Sequence, residues 1–102
     1  MKRIDVDAIE YIEALSYKCM FYMEDGSKME VSMPMGEAIE YMNEEQIVRI
    51  YRSYCVNIDQ IDEYYTGMVK MYSGKQVPIG RAYHESFEDI LILLKTRGRK
   101  KM

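Results

Sequence analysis

The sequence lacks the features on which membrane proteins, secreted proteins and most enzymes depend. Its longest apolar run, residues 90–94, is far shorter than the roughly 20 residues that a membrane-spanning helix needs. The first residues lead into acidic sequence and not into an apolar segment, so no secretory signal is expected. A single histidine, no glycine-rich phosphate loop and no nucleophile spaced from a base argue against catalysis. We therefore expect a cytoplasmic protein that is not an enzyme and uses no metal or cofactor.

Cysteine is also scarce. Cys19 and Cys55 lie 36 positions apart, which fits neither the close spacing of a zinc site nor that of a redox pair. Thiols of this kind remain reduced in the cytoplasm. The two cysteines are therefore predicted to be buried and unpaired.

Positive charge is in the minority and is unevenly distributed. The chain has 14 basic and 17 acidic residues, a formal net charge of −3 at pH 7. Residues 1–94 carry 9 basic and 17 acidic side chains, a net of −8, because five basic residues crowd the last eight positions. These five are Lys95, Arg97, Arg99, Lys100 and Lys101. Because the Debye length is only about 8 Å at physiological salt, local charge governs phosphate binding more than the total does. The acidic total argues against nucleic-acid binding without excluding it.

The length of 102 residues fits one domain, expected over residues 1–95, with a basic and flexible tail at residues 96–102. Within the domain, residues 18–33 predict a hairpin, because Asp25-Gly26 supplies the positive φ values of a tight turn. Further strands are predicted at residues 9–14, 47–50, 54–56, 61–65, 68–72 and 76–79. Pro78 cannot donate a hydrogen bond within a sheet, which predicts an edge position or a strand end.

Two short helices complete the predicted fold. The first covers residues 34–43, where Met35, Ile39 and Met42 recur on one face. The second begins near Tyr83. Its apolar stripe consists of Phe87, Ile90, Leu91 and Leu94. The ten methionines are expected to fill an irregular core, with a methionine-rich binding surface as the alternative. The fold class is therefore mostly β with two short helices.

Residues 47–57 combine features for which a core strand has no use. Two β-prone runs enclose a corner of Tyr51, Arg52 and Ser53, and Arg49 stands just before it. A guanidinium group can take two acceptors on guanine at once, or hold a phosphate in the same bidentate way. The corner therefore predicts a surface that binds an anion.

Four segments follow one another in a specific order. They are Ile9-Glu-Tyr-Ile-Glu-Ala14, then Glu24-Asp25-Gly26, then Arg49-Ile-Tyr-Arg-Ser53 with Val56-Asn57 and Ile61, and finally Gly80-Arg81-Ala82-Tyr83. Together they resemble the LytTR family, the β-rich DNA-binding domain of many bacterial response regulators. Three positions depart from the family pattern: Tyr51 replaces a histidine, Gly80 a serine and Ile47 a phenylalanine. The family's first strand normally begins before Met1, so either an excised C-terminal domain or a compact stand-alone version is expected.

The resemblance implies an elongated, LytTR-like β-β-β arrangement of small antiparallel sheets that presents three loops to successive major grooves of double-stranded DNA. The loops would bring eight residues to the DNA: Tyr17 and Lys18; Arg49, Tyr51, Arg52 and Ser53; and Arg81, leading to His84. Arg52 and Arg81 are assigned to base edges, and Lys18, Arg49 and Ser53 to phosphates. A homodimer on repeated half-sites and an upstream receiver domain are further partners consistent with the resemblance.

Each of these residues also has a purely structural interpretation. The arginines could pair with carboxylates, Arg49 and Arg52 with Glu44, Glu45 or Asp59. Tyr17 and Tyr51 could be half-buried aromatics at strand ends, and His84 a polar residue of a first helical turn. Asn57 is expected to close a turn through its side chain. For the whole chain, the alternative is a protein-interaction module of the same fold, which binds or titrates another regulator through a face rich in methionine and tyrosine.

Overall fold

Eight β-strands and two α-helices make up residues 3–96, the part of the chain that the computed structural model describes, with side chains described for residues 3–92. The strands are β1 (Ile9–Leu15), β2 (Lys18–Met23), β3 (Lys28–Val31), β4 (Ile47–Tyr51), β5 (Tyr54–Asn57), β6 (Ile61–Tyr65), β7 (Met68–Met71) and β8 (Gln76–Pro78). The helices are α1 (Met35–Met42) and α2 (His84–Thr96), and 3-10 turns cover Val6–Ala8, Ile58–Gln60 and Arg81–Tyr83. The basic tail predicted at residues 96–102 lies outside the described residues, apart from Thr96.

The strands form two antiparallel sheets, which confirms the predicted fold class. The larger sheet has the order β3-β2-β1-β5-β4 and the smaller one β6-β7-β8. The principal extents of the molecule are 37 × 31 × 24 Å. β8 is an edge strand and ends at Pro78, so both positions predicted for this proline occur. Both predicted helices are present, the second preceded by a 3-10 turn that the sequence did not reveal.

The hairpin of β2 and β3 forms for the local reason that the sequence indicates. Gly26 has a φ of 91°, a value that disfavours residues with a side chain. The Ser27 backbone N–H and hydroxyl both donate to Asp25 Oδ1, at 2.9 and 2.6 Å. Asp25 therefore holds the turn closed, and the pKa of its carboxyl is lowered by these hydrogen bonds from Ser27.

β1 is the central strand of the larger sheet, and both of its faces are covered. Its neighbours are β2 on one side and β5 on the other. Ile12 points to the face that α1 covers, and Tyr11 points to the opposite face, where the smaller sheet and α2 pack. Residues 9–12 are consequently all buried, which explains why this strand shows no clean alternation in the sequence.

The face covered by α1 carries the first of two hydrophobic clusters, here called the helix-side core. Its buried members are Ile9, Ile12, Cys19, Phe21, Met35, Ala38, Ile47 and Cys55, with four half-buried methionines packed around them. Both cysteines lie here, buried and unpaired as predicted. Burial raises the pKa of the Cys19 thiol, and it raises the pKa of Cys55 to about 12.

The opposite face carries the second cluster, here called the sheet-side core. Its buried members are Tyr11, Ile50, Val56, Val69, Met71, Val77, Ile79 and Phe87. They come from β1, β4 and β5 on one side and from the smaller sheet, the segment after it and α2 on the other. This cluster therefore holds the two sheets together.

The eight methionines among residues 3–92 are all buried or half-buried. Five of them belong to the helix-side core or pack against it: Met23, Met29, Met33, Met35 and Met42. The prediction that methionine fills an irregular core is therefore confirmed for this part of the chain. No helix among the described residues is long and apolar enough to cross a membrane.

Two buried polar side chains connect distant segments. The Asn57 side chain accepts from the Asp59 N–H at 3.0 Å, which confirms that it closes a turn, and donates to the Ile9 carbonyl at 2.8 Å. Glu10, which is 4% exposed, accepts from the Ser73 N–H at 2.9 Å. Each thus compensates part of its own burial with hydrogen bonds.

Candidate nucleic-acid interface

Two of the three predicted loops lie at the same end of the larger sheet. The turn between β1 and β2 contains Tyr17, and the turn between β4 and β5 contains Arg52 and Ser53. β1 and β5 are antiparallel neighbours, and the Ala14 N–H donates to the Ser53 carbonyl at 2.9 Å. The end of β1 therefore lies directly beside the second turn.

The third loop reaches this end through a close backbone contact. The Gly80 N–H donates to the Ile50 carbonyl at 2.7 Å, and Arg81 follows immediately. A Cβ at position 80 would lie 3.4 Å from Tyr51 Cδ1 and 3.2 Å from Tyr83 Cδ2, so glycine allows this tight approach. The three loops, which the sequence places up to 65 residues apart, thus converge around the ends of β1, β4 and β5.

We call this region the cationic end, defined by Tyr17, Lys18, Arg49, Tyr51, Arg52, Ser53 and Arg81. Tyr17 is 85% exposed and not half-buried, because Ser16 adopts a φ of 68° in a two-residue turn that projects the ring into solvent. Arg52 and Arg81 are also exposed. The ion pairs within residues 3–92 are Lys18–Glu30, Lys70–Glu63 and His84–Glu88, none of which uses an arginine. Within that range, no carboxylate forms an ion pair with the arginines of the cationic end.

Arg49 differs from the other two arginines. It lies in β4 and not in the turn, opposite Cys55. Its Nη2 donates to the Arg52 carbonyl at 2.5 Å, and a Cβ on Gly36 of α1 would lie 3.8 Å from its Nη1. Arg49 therefore braces the second turn against α1, while its remaining N–H donors stay at an exposed surface.

Lys18 and His84 have carboxylate partners. Lys18 Nζ lies 2.7 Å from Glu30 Oε2. His84 Nδ1 lies 3.7 Å from Glu88 Oε2, one helical turn away, and Glu88 also accepts from the Tyr64 hydroxyl at 2.9 Å. Glu88 thus links the His84 side chain to α2 and to Tyr64 of β6. His84 takes no part in the backbone contacts that join the three loops.

A cluster of tyrosines supports the cationic end, and sequence reasoning missed it. The Tyr11 and Tyr22 rings stack at 4.3 Å between centroids, and Tyr54 lies 6.3 Å from Tyr11 and 6.2 Å from Tyr51. Lys75, from the turn before β8, places its ammonium 5.5 and 5.3 Å from the Tyr11 and Tyr54 centroids. The sequence signal was the recurrence of tyrosine in β1, β2, β4 and β5, where the register places Tyr11 opposite Tyr22 and Tyr51 opposite Tyr54.

Glu13 is the polar centre of this cluster. It accepts from the Tyr22 hydroxyl at 2.9 Å and from the Tyr54 hydroxyl at 3.5 Å. The pKa of Tyr22 is raised first by burial and then by its hydrogen bond to Glu13. Burial likewise raises the pKa of Tyr11 to about 12. Tyr51, whose ring lies beside that of Tyr54, extends this half-buried aromatic layer toward the second turn.

The cationic end thus exposes Arg52 on the turn between the antiparallel strands β4 and β5, and Arg81 on the 3-10 turn before α2. The sequence profile of the LytTr DNA-binding domain family matches residues 1–92. The chain therefore belongs to the LytTR family of DNA-binding domains, which confirms the resemblance. Among solved structures, it is similar to the LytTr DNA-binding domain of a protein described as a methyl-accepting/DNA response regulator from Bacillus cereus. That likeness has a TM-score of 0.77 at 23% identity and covers 86% of this chain and 84% of the other. No curated protein sequence matches.

Proposed function

We propose that the chain binds double-stranded DNA sequence-specifically as part of a cytoplasmic bacterial transcriptional regulator, with its three loops inserted into successive major grooves. The observation that carries the proposal is the convergence of the loops at the cationic end through the Ala14–Ser53 and Gly80–Ile50 backbone contacts. Membership of a DNA-binding family supports the same conclusion.

Within this proposal, Arg52 and Arg81 read base edges. Both are exposed, and both are held at loops whose backbones are fixed to β1 or β4. A guanidinium that keeps its N–H fork free can contact guanine O6 and N7 together. A bidentate contact of this kind discriminates against a wrong base by about 1–3 kcal/mol.

The other residues position the protein on the DNA backbone. Lys18 and Ser53 contact phosphates, and Arg49 does so with the N–H donors that it does not give to Arg52. Tyr17 projects from the first turn toward the DNA. Tyr51 donates a hydrogen bond to the DNA near the second turn, or stacks against it. His84 contacts the DNA backbone from the start of α2 when its side chain separates from Glu88. The loss of any one of these contacts would weaken binding to all DNA sequences alike.

The acidic character of the body is compatible with this function because of where the charges lie. Residues 1–94 have a net charge of −8, yet screening limits the reach of each charge to about 8 Å at physiological salt. The arginines of the cationic end have no ion-pair partner within residues 3–92. The protein-interaction alternative relies on a face rich in methionine and tyrosine. No methionine of residues 3–92 is exposed, whereas Tyr17 and Tyr41 are, at 85% and 79%.

The test is the loss of sequence preference in a double variant. A cognate duplex is first selected from a random double-stranded library with the wild-type chain. Arg52→Ala/Arg81→Ala is then expected to reduce affinity for that duplex by about 2–6 kcal/mol, the sum of two base contacts, and to bind it no better than a scrambled duplex. Fluorescence anisotropy at fixed salt measures both.

Arg3→Ala is the matched control, since it removes one arginine from the segment before β1, at the opposite end of that strand. It is expected to leave the preference intact. Full specific affinity in the double variant would show that the base contacts are assigned to the wrong residues.

Two partners belong to the same proposal. A receiver domain upstream of this chain would bring two copies together, and the pair would bind repeated half-sites spaced by a helical turn. Without such a domain the chain would pair through its own surface or bind as a weak monomer. Sedimentation of the protein with duplexes carrying one or two copies of the selected site distinguishes these cases.

A further inference from the structure

We propose that Glu30 holds Lys18 in place of a DNA phosphate, so that it limits how tightly the cationic end binds any DNA. This inference rests on the proposed DNA-binding function. It concerns a residue that makes no DNA contact itself and that the sequence patterns did not single out.

The sheet geometry places the two side chains on one face. Glu30 in β3 is the cross-strand partner of Met20 in β2, and Lys18 lies two residues before Met20. Because successive residues of a strand point to opposite faces, Lys18, Met20 and Glu30 share a face. The Lys18 ammonium donates to Glu30 Oε2 at 2.7 Å, so the lysine side chain points along the sheet and away from the first turn.

A second carboxylate lies in the same cross-strand row but is already engaged. Glu13 in β1 is the partner of Met20 on the other side. It accepts hydrogen bonds from the hydroxyls of Tyr22 and Tyr54. Glu30 has no such competing donor among its described hydrogen bonds and is therefore the counter-ion that Lys18 uses.

The ion pair between Lys18 and Glu30 is weak enough for a DNA phosphate to replace Glu30. The side chains of Lys18 and Glu30 are 51% and 47% exposed, so water screens their attraction. Exposed ion pairs of this kind change an equilibrium by about 1.5- to 5-fold. A DNA phosphate brings the additional gain of counterion release when a lysine neutralises it. DNA can therefore displace Glu30, at a cost of a few-fold in affinity.

This cost falls on every DNA sequence alike, because phosphate contacts carry no sequence information. The base contacts assigned to Arg52 and Arg81 carry no such cost, since neither arginine has an ion-pair partner within residues 3–92. Glu30 therefore lowers background binding while leaving sequence discrimination to the other two loops.

The experiment measures binding of a fluorescein-labelled duplex of random sequence at low salt by anisotropy. The full chain is compared with Glu30→Gln, Lys18→Gln and the double variant. Glu45→Gln is the matched control, because it makes the same charge change at an exposed site before β4, at the far end of the sheet from the loops. Circular dichroism melts verify that each variant is folded.

Glu30→Gln is expected to tighten binding about 2- to 5-fold, and clearly more than Glu45→Gln does. In the Lys18→Gln background the same substitution should produce no more than the control effect, because its action depends on the lysine. The gain should shrink as salt is raised, since both the ion pair and the phosphate contact are screened.

Two results overturn the inference alone. Either Glu30→Gln binds no tighter than Glu45→Gln, or its full gain persists without Lys18, while the wild-type chain binds the duplex. A wild-type chain that fails to bind any duplex at low salt overturns the proposed function, and this inference with it.

Discussion

The two faces of the larger sheet are packed with different kinds of side chain. The helix-side core lies under a single short helix and draws on five methionines and two cysteines. The sheet-side core lies under a second sheet and a longer helix, and it draws on branched and aromatic residues. Methionine adapts to irregular gaps, whereas branched side chains hold few rotamers. We therefore expect the first core to adapt to substitution and the second to resist it.

The two cores support different parts of the cationic end. The helix-side face contacts it through Arg49, which lies near Gly36 of α1. The sheet-side face contacts it through Ile50, a buried core residue whose carbonyl accepts from the Gly80 N–H. The loop that carries Arg81 is therefore attached to the core that we expect to be the more rigid, as suits a residue assigned to base recognition.

Loss of the largest sheet-side anchor is expected to have the largest effect. Phe87 is fully buried in α2, with the Tyr64 ring 6.0 Å away. Phe87→Ala should lower the free energy of unfolding by about 3–5 kcal/mol, measured by urea unfolding. Met35→Ala, at an almost fully buried helix-side position, should cost less, about 2–3 kcal/mol, because neighbouring methionines can relax into the cavity. Equal costs in the two cores would contradict the comparison.

Changes of shape should separate the cores at smaller amplitude. Val77→Leu adds a methylene to the fully buried sheet-side core and is expected to cost about 1–3 kcal/mol. Met35→Leu, a volume-conserving change on the helix side, is expected to cost less than about 1.5 kcal/mol. The same urea titrations measure both. The comparison fails if the leucine at position 35 proves the more costly of the two.

Alkaline pH provides the mildest test, since its effect is absent at neutral pH. Burial raises the pKa of Cys55 from 9.0 and that of Tyr11 from 10.0, each to about 12. A raised pKa in the folded state means that stability is fully present below the unfolded value and is lost as pH rises toward 12. The urea midpoint should therefore begin to fall above pH 9 through the helix-side cysteine and above pH 10 through the sheet-side tyrosine.

Single variants test which residue causes each part of the loss of stability at alkaline pH. Cys55→Ala should reduce the part that begins near pH 9, leaving the contribution of Cys19, and Tyr11→Phe should reduce the part that begins near pH 10, leaving that of Tyr22. A midpoint that stays constant to pH 11 in the wild-type chain would show that neither group is protected by burial.

Local chemistry explains why much of the fold could be predicted. Asp25-Gly26 sets the first hairpin, Pro78 an edge strand, and the spacing of Met35, Ile39 and Met42 a helix. Each of these signals acts within a few residues, so a single sequence reveals it. The order of the four segments likewise indicated the family, which the comparison of residues 1–92 confirms.

Contacts across the sheets could not be predicted in the same way. Nothing near Gly80 in the sequence indicates that its backbone meets Ile50, and nothing near Lys18 indicates Glu30 as its partner. These pairs depend on strand order and register, which the packing of both cores selects together.

The sequence by itself determined the order of strands and helices along the chain, the turn chemistry and the residues able to bind an anion. The tertiary structure decided which of those residues share one end of the molecule and which are already paired. It brought three distant loops together and paired Lys18 with Glu30. It also left Arg52 and Arg81 outside the ion pairs of residues 3–92. The physical reason is that turns and helices follow from local propensity, whereas neighbours across a sheet follow from burying both of its faces at once.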